Sequence, residues 1–160
     1  MSTIFLAPAC DADLDGLVAL RVEAMRDSLE RIGRFDPLRA GERLRSSFAP
    51  ESTRHILTAG ERVGFVVVKP REGVLLLDHL YLRPAFQGRG IGARVLAMVF
   101  DEADVLGLAI QVGALKESDS NRFYLRHGFT QTRVDEWDIY YVRRQQPRLQ
   151  KGILPEPGTA

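Results

Sequence analysis

Between a β-type run ending at Leu82 and a helical stretch reaching Leu106, the chain reads Gln87-Gly88-Arg89-Gly90-Ile91-Gly92. Alternate glycines permit backbone conformations closed to other residues, and they let a ligand approach the main chain with no Cβ in the way. A helix beginning here leaves its first amides unpaired, and those amides with the helix dipole favour a phosphate or diphosphate. Arg89 and Arg94 are placed for charge-assisted contacts to phosphate oxygens. The structural alternative is a tight turn with a glycine-rich helix cap.

Two phosphate-binding patterns can be compared with this loop. The P-loop requires Gly-Lys-Ser/Thr after its spacers, and no Lys follows here. Gly88, Gly90 and Ala93 satisfy the spacing of the dinucleotide fingerprint. That fingerprint expects its first glycine directly after the strand, whereas Arg83-Pro84-Ala85-Phe86-Gln87 intervene. Glu117 also falls late for the ribose-binding acid expected about 20 residues on. A nicotinamide-dinucleotide enzyme therefore ranks low, and affinity for NAD would be its mark.

The surrounding pattern mixes helices and hairpins. Thr3 to Ala7 reads as a strand stopped by Pro8, with Asp11 and Asp13 placed to cap a helix. Leu14, Leu17, Val18, Met25, Leu29 and Ile32 give the segment from Asp13 to Arg31 one apolar face, and Gly33 ends it. Asp36-Pro37 opens a mostly charged helix to Phe48, closed by Pro50. His55 to Ala59, Arg62 to Lys69 and Gly73 to Leu82 are strand runs separated by Ala-Gly-Glu and Lys-Pro-Arg-Glu-Gly, breaks that favour hairpins. Ile91, Val95, Val99, Ala103 and Leu106 mark one side of the helix after the loop, with Gly107 as its stop. A strand over Leu108 to Leu115, a short helix over Ser118 to His127, and strands over Phe129 to Val134 and Trp137 to Arg143 complete the set. From Gln145 the composition shifts to Gln, Pro, Gly and Arg, which reads as a loosely held tail.

The run Leu80-Tyr81-Leu82-Arg83-Pro84-Ala85-Phe86-Gln87-Gly88-Arg89-Gly90-Ile91-Gly92 resembles the central motif of the GNAT N-acetyltransferase superfamily. There a strand ends in an apolar-x-Pro arm, followed by Gln/Arg-x-x-Gly-x-Gly/Ala and a helix. Downstream, Asn121-Arg122-Phe123-Tyr124-Leu125-Arg126-His127-Gly128-Phe129 resembles the second signature, an aromatic-Tyr pair shortly before Gly-Phe. The resemblance implies an α+β (α/β-like) fold: a single GNAT-type domain with a twisted, mixed, mostly antiparallel sheet. About four helices flank that sheet, and its central strands splay apart to hold acetyl-CoA. Residues 1–144 are expected to form this domain and 145–160 the tail. Carried over position by position, Gln87, Gly88, Arg89, Gly90, Ile91 and Gly92 would hold the pyrophosphate, chiefly through backbone amides. Leu80, Tyr81 and Leu82 would pair with the pantetheine arm like an added strand, with the Leu82 amide facing the thioester oxygen. Tyr124 matches the tyrosine that points at the cofactor sulfur, and Asn121 is a further candidate for cofactor contact. Many members carry an Asn where this chain has Glu117.

Acetyl transfer to an amine needs a route for the amine proton, donors for the developing oxyanion and a proton for the departing thiolate. An amine of pKa near ~10 is mostly protonated at neutral pH, so a carboxylate or water chain must relieve it. Backbone amides serve the second need. A phenol, protonated up to pH ~10, serves the third, and Tyr124 fits it. For the base, alternation along Gly73 to Leu82 puts Leu76, Asp78, Leu80 and Leu82 on one face and His79 and Tyr81 on the other. Asp78, an acid amid leucines, is the leading candidate. A bulge would reverse the alternation and bring His79 inward, and Glu117 or water are further routes. By family analogy Glu23, Arg26, Phe35, Trp137 and Tyr141 line the acceptor pocket, with Arg21 or Arg26 able to clamp a carboxylate.

The reading is thus an acetyl-CoA-dependent N-acetyltransferase acting on a primary amine of a small molecule, peptide or protein. A non-catalytic acyl-CoA sensor or interaction module is the alternative. Lys plus Arg number 22 against 21 Asp plus Glu, a net +1 that gives no footing for non-specific nucleic-acid binding. One cysteine, Cys10, cannot build a thiolate metal site, so no metal is expected. No apolar run nears the ~20 residues that cross a bilayer, and the start lacks the features of a signal peptide, so a cytoplasmic location without a membrane partner is expected. Members of the family often dimerise, which makes a homodimer a possible assembly.

Overall fold

The computed structural model describes residues 2–145; apart from Gln145, the expected tail lies outside the described residues. The strands are β1 (Ile4–Pro8), β2 (Thr53–Thr58), β3 (Glu61–Arg71), β4 (Val74–Leu82), β5 (Ala109–Leu115), β6 (Thr130–Val134) and β7 (Asp138–Arg143). The α-helices are α1 (Leu14–Arg31), α2 (Pro37–Ser47), α3 (Ile91–Leu106) and α4 (Ser120–Arg126). The seven strands form one sheet in the order β1-β2-β3-β4-β5-β7-β6. Neighbours run antiparallel except β4 and β5, which are parallel and joined through α3. No helix among the described residues is long and apolar enough to cross a membrane.

Local chemistry accounts for most of these boundaries. The Asp36 carboxylate accepts hydrogen bonds from the Leu38 and Arg39 amides, and Pro37 takes the first helical position of α2. Gly33 follows α1 at φ 71°, a left-handed conformation that suits glycine. Two expectations are corrected. Asp13 stands at the N-cap position of α1, but neither its carboxylate nor that of Asp11 accepts from the first-turn amides. Both residues sit in a 3-10 turn, and Asp13 instead accepts from the Cys10 amide at 2.9 Å, His55 Nε2 at 3.0 Å and Arg62 at 3.2 Å. Pro70 lies in β3 and not in the hairpin break. β2 begins at Thr53 opposite Val67, so β3 beyond Val67 has β4 on one side only, and a residue without an N–H fits such an edge.

Apolar residues fill both faces of the sheet. On one, Leu17, Val18 and Leu20 of α1 and Leu44 of α2 pack with Phe65 and Val67. On the other, Val95, Leu96, Val99 and Ala103 of α3 pack with Val66, Leu77, Ile110 and Val112, joined by Tyr124 of α4 and Tyr141 of β7. Helices therefore cover both faces, and what lies between two central strands is walled in from both sides.

Candidate active site

β4 and β5 pair only from Val74 opposite Ala109 to Leu77 opposite Val112, although β4 runs on to Leu82 and β5 to Leu115. Past that point the strands diverge, and each leaves an unpaired backbone edge. The gap is a cleft of about 520 Å³ bordered by Leu77 to Leu82, the glycine loop, Val112 to Leu115 and α4. β3 stays close to the open part of β4 because Gly64 has no side chain: a Cβ there would lie 2.2 Å from the Tyr81 carbonyl oxygen.

A β-bulge sits at the point of divergence. Val67 pairs with His79 and Val68 with Leu77, leaving Asp78 as the extra residue of β4. This overturns the simple alternation that grouped Leu76 and Asp78 with Leu80 and Leu82. Leu75, Leu77, Leu80 and Leu82 all meet the core under α3, whereas His79 and Tyr81 lie against Phe65 on the α1 side. The Asp78 carboxylate lies 3.0 Å from the Lys69 ammonium, which also donates to the Ser47 carbonyl at 2.7 Å. Burial alone would raise the Asp78 carboxyl, but its hydrogen bond to the Lys69 ammonium and the charges of Lys69 and Arg43 hold the group below the usual carboxylate range. His79 is 3% exposed, and neither ring nitrogen has a hydrogen-bond partner among the described residues. Burial pushes its pKa well down, so the ring is neutral.

The glycine loop takes the form that an anion site requires. Gly88 and Gly90 adopt φ 73° and 80°, and a Cβ on either would meet no protein atom. Gly90 is the N-cap of α3, and the first bond of that helix runs from the Arg94 amide to the Gly90 carbonyl. The amides of Gly88 through Ala93 consequently have no backbone acceptor among the described residues. Gln87, Gly88, Gly90, Gly92 and Ala93 border the cleft, and Gln87 Nε2 ties the loop to the Leu82 carbonyl at 3.0 Å. The arginine side chains lie elsewhere: Arg89 sits over Phe86 and Arg94 donates to the Ser2 carbonyl. The Ile91 side chain is in the core. A diphosphate thus fits the main chain of this loop, with its two guanidinium groups turned to other contacts.

Tyr124 reaches the cleft from α4. Its ring packs on Phe123, Phe129 and Tyr141, while its hydroxyl has no hydrogen-bond partner among the described residues. Burial raises its pKa far above the ordinary phenol value. Asn121 is not brought to the cleft. Its amide donates to the Leu115 and Ser118 carbonyls, and its oxygen accepts from the Tyr141 hydroxyl at 2.7 Å. Glu117 does not border the cleft either; it occupies a turn at φ 67°, its carbonyl bonded by Arg31.

A second cavity, about 310 Å³, meets the first at Leu77, Asp78, Val112 and Gly113. Of the residues expected around the acceptor, Tyr141 borders it. Arg26 is engaged with Glu30 and Phe35, Trp137 lies under Arg34, and Arg21 is buried on the Ala40 carbonyl and the Tyr81 ring. Glu23, Arg26, Phe35, Trp137 and Arg21 border neither cavity. Sequence reasoning missed Arg43 and Asp138, which border the second one. A polar residue opening a strand of the last hairpin was the available cue for Asp138.

Residues 52–131, half of the chain, match the family model of the acetyltransferase (GNAT) domain. The chain belongs to the GNAT family. Solved structures of this fold include an N-acetyltransferase (PaiA) from Thermoplasma acidophilum in complex with coenzyme A. It is 16% identical with TM-score 0.74, over 89% of this chain and 99% of that one. An acetyltransferase from Thermus thermophilus is 20% identical with TM-score 0.70, over 88% and 96%. N-acetylglutamate synthase from Neisseria gonorrhoeae, complexed with coenzyme A and N-acetyl-glutamate, is 18% identical with TM-score 0.65, over 91% of this chain and 36% of that one. A search of curated proteins found no match. The open seven-stranded sheet with helices on both faces is the GNAT fold that the two sequence motifs implied.

Proposed function

We propose that this GNAT domain, residues 1–144, is an acetyl-CoA-dependent N-acetyltransferase that passes an acetyl group to a primary amine by direct attack on the thioester. One observation carries the reading: Gly88, Gly90, Gly92 and Ala93, whose amides have no backbone acceptor among the described residues, border the same cleft as Tyr124 with its unpartnered hydroxyl. When bound, acetyl-CoA supplies the activated acetyl group. The amides of Gly88, Arg89, Gly90, Ile91 and Gly92 hold its diphosphate. The free edge of β4 at Leu80, Tyr81 and Leu82 would accept the pantetheine amides as a sheet accepts a strand, and the Leu82 amide would stabilise charge on the carbonyl oxygen.

Tyr124 would donate a hydrogen bond to the departing sulfur, which would leave as a thiolate and take its proton from water. Its raised pKa keeps the hydroxyl protonated through the neutral range, so the donor is always available. Asp78, at the junction of the cavities, attracts the acceptor ammonium and receives its proton. So acidic a carboxylate holds that proton only in passing, and water carries it away. Neutral His79, beside Asp78, shapes the wall at this point. Asn121 braces α4 against Tyr141 and thereby steadies Tyr124.

Thiol release from acetyl-CoA with a panel of small, peptide and protein amines tests the proposal. Acceptor-dependent release supports it. Tight coenzyme A binding with no release across the panel would instead identify a non-catalytic acyl-CoA module.

A further inference from the structure

The second cavity contains charges that the transfer step does not use. Arg43 of α2 and Arg133 of β6 border it together with Asp78 and Asp138. Asp78 is paired with Lys69 at 3.0 Å, whereas Arg43, Arg133 and Asp138 form no ion pair among the described residues. Arg43 forms no ion pair among the described residues, and its side chain donates no hydrogen bond there. Arg133 is stacked on the Tyr140 ring at 3.9 Å. The Asp138 carboxylate, half-buried, likewise has no bonded partner, and burial raises its pKa despite the field of Arg43. An exposed guanidinium and a half-buried carboxylate, neither bonded to a described side chain, face one small cavity, and a ligand of matching charges pairs with both.

We infer that the acceptor is an amine that also carries a carboxylate, an amino acid or short peptide with a free C-terminus, held by Arg43 at the carboxylate and by Asp138 and Asp78 at the ammonium. This inference rests on the acetyl-transfer reading for its amine. The carboxylate is argued from the second cavity alone. A planar guanidinium takes a carboxylate through two parallel hydrogen bonds. At about 310 Å³ the cavity has room for a molecule of this size.

The test uses the common amino acids and short peptides, each paired with its C-terminal amide, in two assays. The first is thiol release from acetyl-CoA; the second is calorimetric binding to the full chain loaded with coenzyme A. The expected result is a preference for the free acid of at least ~10-fold in kcat/KM and in Kd, collapsing toward parity in Arg43→Gln. Asp138→Asn is expected to weaken binding of acid and amide alike by about tenfold. Arg43 is exposed and makes no internal side-chain bond, so the variant's melting temperature should match the wild type. Equal binding of acids and amides overturns the inference and leaves acetyl transfer standing. A strong acid preference in binding with no thiol release supports the inference and removes the transfer reading instead.

Discussion

Tyr124→Phe separates catalysis from packing within a single side chain. The substitution keeps the ring contacts at 5.4 Å to Phe123, 5.2 Å to Phe129 and 6.2 Å to Tyr141, and deletes only a hydroxyl that no described residue bonds. A buried hydroxyl without a partner costs about 1–3 kcal/mol, less where it borders a cleft, so removing it should not destabilise the fold. For a domain of this size 1 kcal/mol is about 2–4 °C in Tm, and the expected shift is zero to about +3 °C. Coenzyme A affinity should stay within about threefold, since the diphosphate is held elsewhere. If the hydroxyl serves the departing sulfur, kcat falls by about 10²–10⁴, or roughly 3–5 kcal/mol of transition-state stabilisation. Steady-state thiol release, thermal unfolding and coenzyme A titration on the same preparation give all three numbers. A kcat within a few-fold of wild type, with Tm unchanged, would refute the assignment and hand that hydrogen bond to water.

The pH profile follows from the bulge. The pKa values of both Asp78 and His79 lie below their ordinary values, 3.8 and 6.5, so both are in their basic forms from neutral pH upward. The logarithm of kcat/KM should therefore rise with the neutral fraction of the acceptor amine up to that amine's own pKa, and a protein inflection near 6.5 would contradict this. Gly64→Ala places a Cβ 2.2 Å from the Tyr81 carbonyl and should cost roughly 3 kcal/mol in denaturant unfolding; a neutral effect would mean that β3 and β4 are not so close. The Asp13 carboxyl is held well below its usual pKa by its hydrogen bonds to His55 and Cys10. A depressed folded-state pKa contributes stability above the unfolded value and loses it as pH falls, so the Tm gap between wild type and Asp13→Asn should narrow below pH ~4. A gap that does not change with pH would show that the carboxylate's charge is not what stabilises that corner.

Much of this was legible in the chain because the informative signals are local. Asp36-Pro37 starts α2 where a cap and a proline must, and Gly33 and Gly107 stop helices in left-handed conformations. The glycine loop was readable for the same reason, since its chemistry lies in the backbone of consecutive residues. What escaped were consequences of partners distant in sequence. Nothing near Asp78 reveals that β3 pairs around it, yet that mismatch with Val67 and Val68 sets which leucines enter the core and where the strands part. Asn121 was legible as polar and near the motif, but its bonds to Leu115 and Tyr141 exist only once β5 and β7 are in place. Arg43 reads as one more charge on a charged helix until the fold sets it beside Asp138. Pro70 reads as a break in the sequence because an edge is a property of the assembled sheet.

A crystal structure of the protein with coenzyme A bound bears most directly on the cleft. The diphosphate should accept hydrogen bonds at about 3 Å from main-chain amides between Gly88 and Gly92, with the sulfur within hydrogen-bond reach of the Tyr124 hydroxyl. A nucleotide bound away from the start of α3, or a sulfur out of reach of that hydroxyl, would contradict the account.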